Sequence, residues 1–373
     1  MKFVDEYRDS EVIKQLLGAI KHQLDDIPPR CRPWQIMEVC GGHTRAIYRF
    51  GLDKLLPKEI EFIHGPGCPV CVLPIQVIDQ AFALALKPDV ILCSYGDVMR
   101  VPGSSGSLIQ AREQGADVRI VYSPRDALAV ALNNPERQVV FLAIGFETTI
   151  PATAATLLAA DKRQVSNFHL LVHHVCIEPP LLALLEEKDT AIDAFIAPGH
   201  VSTITGALPY LSVAATYHKP VVISGFEPAD ILQSTLMLLR QLQRGKAEVE
   251  NQYTRAVQVF GNRAAQTTID RVFELAETTE WRGLGKLRHS GYQLVKAYQR
   301  FDATRLISTP DQEETVDHTP CHCADVLCGK LTPDECPLFG RACKPTHPAG
   351  ALMVSEEGAC AAHWQYRQQE VEL

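Results

Sequence analysis

The sequence predicts an α/β protein: two similar parallel-sheet α/β domains facing a cleft, followed by a cysteine-rich C-terminal domain. Three observations lead there. Short runs rich in Val and Ile alternate with helical patterns, as the buried strands of parallel sheets do. The turns that follow those runs resemble one another, in order, in two stretches of the chain. Finally, six of the twelve cysteines are gathered between Cys321 and Cys360.

The elements follow in order. Residues 1–32 read as an N-terminal helical segment. Strands are expected at Gln35–Val39, Glu61–His64, Val90–Cys93 and Val118–Tyr122, then at Val139–Ile144, His169–Val172, Ala194–Ala197 and Pro220–Ser224. Read as two sets of four, they give a first α/β domain over 33–135 and a second over 136–229. The closest match between the sets is Ser123-Pro124-Arg125-Asp126 against Glu227-Pro228-Ala229-Asp230, where Pro and an acidic residue open a helix. That second helix runs to about Gln243, with Ile231, Leu232, Thr235, Leu236 and Leu239 on one face. The region 230–373 is assigned to a third domain, with a polar stretch from Asn251 to Arg282 and a linker, Ser308–Thr319, before the cysteines.

Composition narrows the function. A chain of 373 residues with 46% hydrophobic and 21% charged residues is globular in character. A formal charge of −8 argues against nucleic-acid binding, which needs a basic face. The charged N-terminus does not resemble a signal peptide, and the longest apolar run, Val139 to Phe146, is too short to cross a bilayer. A cytoplasmic location is therefore expected. That compartment keeps thiols reduced, so the cysteines point to metal or thiol chemistry instead of disulfides.

Thiolates, usually four, hold iron–sulfur clusters, and Cys336-Pro337 fits such a role. A four-cysteine zinc site competes, but the close Cys pairs usual for zinc are sparse here. Spacing alone leaves Cys321, Cys323, Cys328, Cys336, Cys343 and Cys360 all as candidates. Upstream, Cys68-Pro69-Val70-Cys71 follows a strand and a Gly-Pro-Gly turn, which reads as a redox pair whose thiols a nearby helix N-terminus would acidify. Cys40-Gly41-Gly42-His43-Thr44 stands at a strand end, where loops form the ligand crevice of α/β folds, and its Cys and His suit iron or a nucleophilic thiol. Glu147, Thr148 and Thr149 end another strand and would cap a helix, and His200 ends a third. Cys31, Cys93 and Cys176 read as structural, and Gly103-Ser104-Ser105-Gly106-Ser107 lacks the Lys of a phosphate loop.

Taken together, Cys-Gly-Gly-His-Thr, Gly-Pro-Gly-Cys-Pro-Val-Cys, Gly-Phe-Glu-Thr-Thr, Pro-Gly-His-Val-Ser and the terminal cysteines closely resemble the HypD family of hydrogenase maturation proteins. The likeness also covers Phe3-Val4-Asp5-Glu6-Tyr7-Arg8 and Ser355-Glu356-Glu357-Gly358-Ala359-Cys360. It implies a scaffold on which the Fe(CN)2CO centre of [NiFe]-hydrogenase is assembled, with a HypC-type small chaperone and a HypE-type partner donating cyanide from a thiocyanate on its terminal cysteine. It implies two α/β domains plus a [4Fe–4S] domain. Cys40 would ligate the iron, Cys68 and Cys71 would be the redox pair, and His43, Glu147, Thr148, Thr149 and His200 would line the cleft. The family pattern C-x12-C-x6-C-x16-C selects Cys323, Cys336, Cys343 and Cys360 for the cluster and leaves out Cys321 and Cys328. One departure stands out: the first motif often ends in a second His, whereas this chain has Arg45, which offers donors and no lone pair. Arg45 is expected at the rim, or holding an anion. The rival readings are an iron–sulfur-dependent thiol–disulfide reductase acting on a protein and an adaptor whose cluster is only structural.

Overall fold

The protein is described by a computed structural model that covers residues 2, 4–28, 30–187, 190–307 and 321–367. The expected linker Ser308–Thr319 lies outside the described residues. All eight expected strands form, most of them shifted or extended by a residue or two: β1 Trp34–Glu38, β2 Ile60–His64, β3 Val90–Ser94, β4 Val118–Ile120, β5 Gln138–Gly145, β6 Phe168–His174, β7 Ala194–Pro198 and β8 Val221–Ser224. A ninth, β9 Val249–Asn251, comes from the stretch beyond the long helix and was not expected.

The two sheets are parallel, but they do not follow chain order. One has the order β2-β1-β7-β8-β9 and the other β4-β3-β5-β6. Register makes the crossover explicit: Ile36 of β1 pairs with Ala194 of β7, and Val90 of β3 pairs with Gln138 of β5. The division at 135/136 therefore cuts through the second sheet, and 33–135 contributes strands to both. This corrects the expected assignment of consecutive halves. The chain builds two strands, inserts a complete four-stranded sheet, then returns to finish the first. The repeat is nonetheless present as topology. Each sheet starts in its interior, steps outward once, then crosses back to the other side of the starting strand. Such a reversal opens a crevice at the carboxyl ends of the two strands that flank it.

The boundary at 230 is corrected as well. The helix Pro228–Gln243 buries Ile231, Leu232 and Leu239 in the core of the first sheet, shared with Ile36, Ile196 and Val222. Residues 263–301 cover the second sheet: Ile269, Phe273, Leu294 and Phe301 join the cluster containing Phe141 and Leu170. Two antiparallel pairs form there, Phe273–Leu275 with Tyr292–Leu294 and Thr278–Trp281 with Gly285–Arg288, and the first strand of each lies in the stretch Asn251 to Arg282 read as polar. The separate C-terminal part is thus residues 321–367, built of short turns and the helix Ala359–Arg367. It touches both halves. Arg100 donates to the Val354 carbonyl at 2.8 Å, and Glu357 backs Gly41, where any Cβ would collide with the glutamate.

Candidate functional site

The crevice of the first sheet lies between β1 and β7, and two of the expected site residues follow those strands. Cys40 precedes the helix Gly41–Phe50 and His200 lies in the helix Gly199–Thr205. Their side chains meet, with Cys40 Sγ 3.5 Å from His200 Nδ1. His43 completes the group. It is fully buried, donates from Nε2 to the Gly225 carbonyl at 2.9 Å and stacks on Phe226 with ring centroids 4.7 Å apart. That bond fixes the tautomer and leaves Nδ1 as a lone pair with no partner among the described residues. Burial lowers the His43 pKa and pushes His200 down to about 4, so both imidazoles are neutral at physiological pH. Neutral imidazole and thiolate are donors that iron accepts.

The Cys40 thiol itself is pushed well above its usual range, first by burial and then by the carboxylates of Glu357 and Glu38, against the helix N–H groups of His43 and Gly42. In isolation it is a protonated thiol. A bound cation would reverse that balance, because metal binding deprotonates a ligating cysteine. Glu38 is the anchor behind it. Fully buried in β1, it accepts from Cys40 N at 2.9 Å, from the Thr44 hydroxyl, and lies 2.7 Å from His64 Nδ1. Sequence reasoning missed it, although a Glu inside a run read as a buried strand was the available signal.

The Cys68-Pro69-Val70-Cys71 loop lies directly behind Cys40. Gly41 N donates to the Gly67 carbonyl at 3.3 Å, and Gly67 presses so close to Val39 and Cys40 that a Cβ would overlap their backbone atoms. The loop closes on itself, with Cys71 N 3.3 Å from Cys68 Sγ. The expected acidification of this pair is not found at Cys71. The following helix begins only at Ile75, and burial, aided by Cys68, holds the Cys71 thiol well above the usual range.

Behind Cys71 stand the terminal cysteines. Cys321, Cys323, Cys336, Cys343 and Cys360 line one pocket with Leu338, Phe339, Leu352 and Met353. Cys328 does not; it lies near Glu187, with its thiol raised to about 11 by burial. Within the pocket Cys321, Cys343 and Cys336 help to raise the Cys360 thiol, and both Cys323 and Cys360 help to raise that of Cys71. Cys321 and Cys323 are 2.9 Å apart at sulfur, and Gly350 leaves them the room, since its Cβ would strike both. No three His, Cys, Asp or Glu side chains among the described residues are grouped to hold a single metal ion. A cluster binding one thiolate per iron needs no such grouping, and an apolar pocket ringed by thiols fits it.

The remaining expected residues stand apart. Glu147, Thr148 and Thr149 follow β5, at the reversal point of the other sheet. Thr149 occupies the N-cap position of the helix Ile150–Lys162 without capping it; its hydroxyl donates back to the Ile144 and Phe146 carbonyls. Glu147 is sealed beside Cys176, Glu178 and Tyr210. Tyr210, a residue sequence reasoning did not single out, feels both Glu147 and Cys40, and its oxygen lies 3.3 Å from Ser202 Oγ. Cys93 lies inside β3 and is buried, as expected of a structural cysteine.

A buried Cys–His group thus stands at one sheet's crevice, with a thiol pair behind it and a cysteine pocket behind that. The HypD family model, described as the hydrogenase formation hypA family, matches residues 11–367. The chain is 52% identical over 373 residues to the hydrogenase maturation factor HypD of Escherichia coli K12, covering all of both chains. It is 50% identical over 374 residues to HypD2 of Bradyrhizobium diazoefficiens, covering 98% of this chain and 97% of that one. It is 48% identical over 370 residues to HypD of Rhodobacter capsulatus, covering 98% of each. The chain belongs to the HypD family of hydrogenase maturation factors. Among its described residues, no helix is long and apolar enough to cross a membrane.

Proposed function

We propose that this protein is the scaffold on which an iron ion receives its cyanide and carbonyl ligands before delivery to a [NiFe]-hydrogenase. A HypC-type chaperone would share the iron and a HypE-type partner would supply cyanide. The observation that carries the reading is the line of thiols: Cys40 with two neutral histidines, the Cys68/Cys71 loop against its backbone, and the cysteine pocket beyond Cys71.

Iron is the cargo, held by Cys40 with Glu38 and Glu357 supplying negative charge nearby. Moving one cyanide from a thiocyanate breaks the S–C bond and needs two electrons and one proton. Cys68 and Cys71 supply both electrons by closing to a disulfide. They release two protons, one of which stays with the donor's sulfur as its thiol. Cys323, Cys336, Cys343 and Cys360, the set the family spacing selects, line the pocket and would hold a [4Fe–4S] cluster. Such a cluster would relay, one at a time, the two electrons from an external one-electron reductant that reopen the pair.

A reductase acting on protein disulfides is disfavoured by access: Cys68 is 4% exposed and Cys71 fully buried, so a folded substrate cannot reach the pair. The test is Cys40→Ala, purified anaerobically with the chaperone. The infrared cyanide and carbonyl bands should vanish while the cluster absorbance stays. Unchanged bands would remove Cys40 from the assembly site.

A further inference from the structure

Five thiols line the C-terminal pocket, one more than the four that a [4Fe–4S] cluster takes. With Cys323, Cys336, Cys343 and Cys360 as the ligands proposed above, the spare thiol is Cys321. Its Sγ lies 2.9 Å from that of Cys323. The backbone makes this contact, because His322 between them has φ −88 and ψ 30, a turn and not an extended step. Residues two apart in a helical turn have Cα atoms roughly 5.4 Å apart, inside the roughly 4.4–6.8 Å that a disulfide spans. The His322 side chain stays at the surface, with Nδ1 2.9 Å from Asp325 Oδ2. Against the two thiols stands Gly350, whose Cβ would fall 2.2 Å from Cys321 Sγ and 2.6 Å from Cys323 Sγ. Its backbone is extended at φ −144, a conformation open to any residue, so the site uses the glycine for its missing side chain.

The two thiols differ in access. Cys321 is half-buried, whereas Cys323 is 7% exposed. A small disulfide from solution therefore meets Cys321 first. Thiol–disulfide exchange runs through a mixed disulfide that a second thiol resolves. Here the resolving thiol is already in contact, which makes the second step intramolecular.

We propose that Cys321 and Cys323 close to a reversible disulfide before a cluster is inserted, so that Cys321 shields a cluster ligand from irreversible oxidation. The oxidant is a low-molecular-weight disulfide of the glutathione type. Cys321 Sγ attacks one of its sulfurs, and the first small thiol leaves with the Cys321 proton. Cys323 Sγ then attacks the Cys321 sulfur, and the second small thiol leaves with the Cys323 proton. Two protein thiols are oxidised to one disulfide, and one small disulfide is reduced to two thiols. Reduction returns such a pair to thiols, whereas a cysteine carried on to the sulfonic acid is lost as a ligand. The protective role rests on the cluster reading of the pocket; the disulfide rests on the geometry of Cys321, Cys323 and Gly350.

The test uses the full-length chain, stripped of metal by a chelator, reduced, and equilibrated with glutathione disulfide. Free thiols are blocked with one alkylating reagent, disulfides are reduced and labelled with a second, and fragment-ion mass spectrometry reads each cysteine. Cys321 and Cys323 should carry the second label together in most molecules. Either thiol left free, either held as a glutathione adduct, or pairing of Cys321 with another cysteine would overturn the proposal. The same samples are then treated with hydrogen peroxide, reduced with dithiothreitol and supplied with iron and sulfide. Wild type should recover roughly fivefold more cluster absorbance than Cys321→Ser, whose Cys323 has no partner to close on. Equal recovery would remove the protective role. Cluster uptake by Cys323→Ser would defeat that role through its premise, whereas failed pairing in wild type defeats the disulfide itself, so the two failures are distinguishable.

Discussion

Glu147 shows how burial sets chemistry at the scale of one residue. Its Oε1 accepts from Ile177 N at 3.1 Å, its Oε2 has no partner among the described residues, and burial raises the carboxyl from 4.5 to about 7. A folded-state pKa above the unfolded one means that the fold prefers the acid form. That contribution is complete below about 4.5 and is lost as the pH rises through about 7. Neutral Gln cannot ionise, so the stability of Glu147→Gln relative to wild type should rise across this window, by roughly 3 kcal/mol at most. Urea unfolding of both proteins between pH 4.5 and 8 measures it, and parallel profiles would refute the buried acid. Residues of this scale were legible where their chemistry was local. Cys40 and His43 share one helical turn and two glycines, which announced a strand-end site. Tyr210 and Glu356, the ion-pair partner of Arg45, were not legible, because each acts through residues brought from elsewhere in the chain; Glu38 left a local signal, a carboxylate inside a buried strand.

At the scale of elements, strands came through well because burial on both faces leaves a plain mark, a short run of Val, Ile and Leu. β9 and the antiparallel pairs near Trp281 were missed because their exposed faces make them read as polar. The Cys321-His322-Cys323 step shows the limit of spacing. Both thiols line the pocket with their sulfurs 2.9 Å apart, so position does not separate them. The proposed ligand set predicts that Cys323→Ser loses most of the bound iron and visible absorbance and that Cys321→Ser keeps both. Measured by iron content and absorbance, the reverse pattern would put Cys321 in the ligand set instead.

At the scale of the whole molecule, interleaving matters most. Because β1 and β2 wait for β7 and β8, neither half of the chain can complete a sheet alone. Fragments 33–135 and 136–229, expressed separately, should each lack a cooperative unfolding transition in circular dichroism. A cooperative transition in either would contradict the strand order. The sequence by itself determined the α/β class, strands β1 to β8, and the loops that carry Cys40, His43, Cys68, Cys71 and His200. Hydrophobic pattern and turn chemistry are local, and a motif of a few residues carries its own reactivity. Only the tertiary structure decided which strands share a sheet, which cysteines share a pocket, and that Cys40 lies between His200 and the Gly67 backbone. The widest of those relations, β1 with β7 and Cys40 with His200, join residues about 160 positions apart, and no local pattern encodes the partner across such a gap.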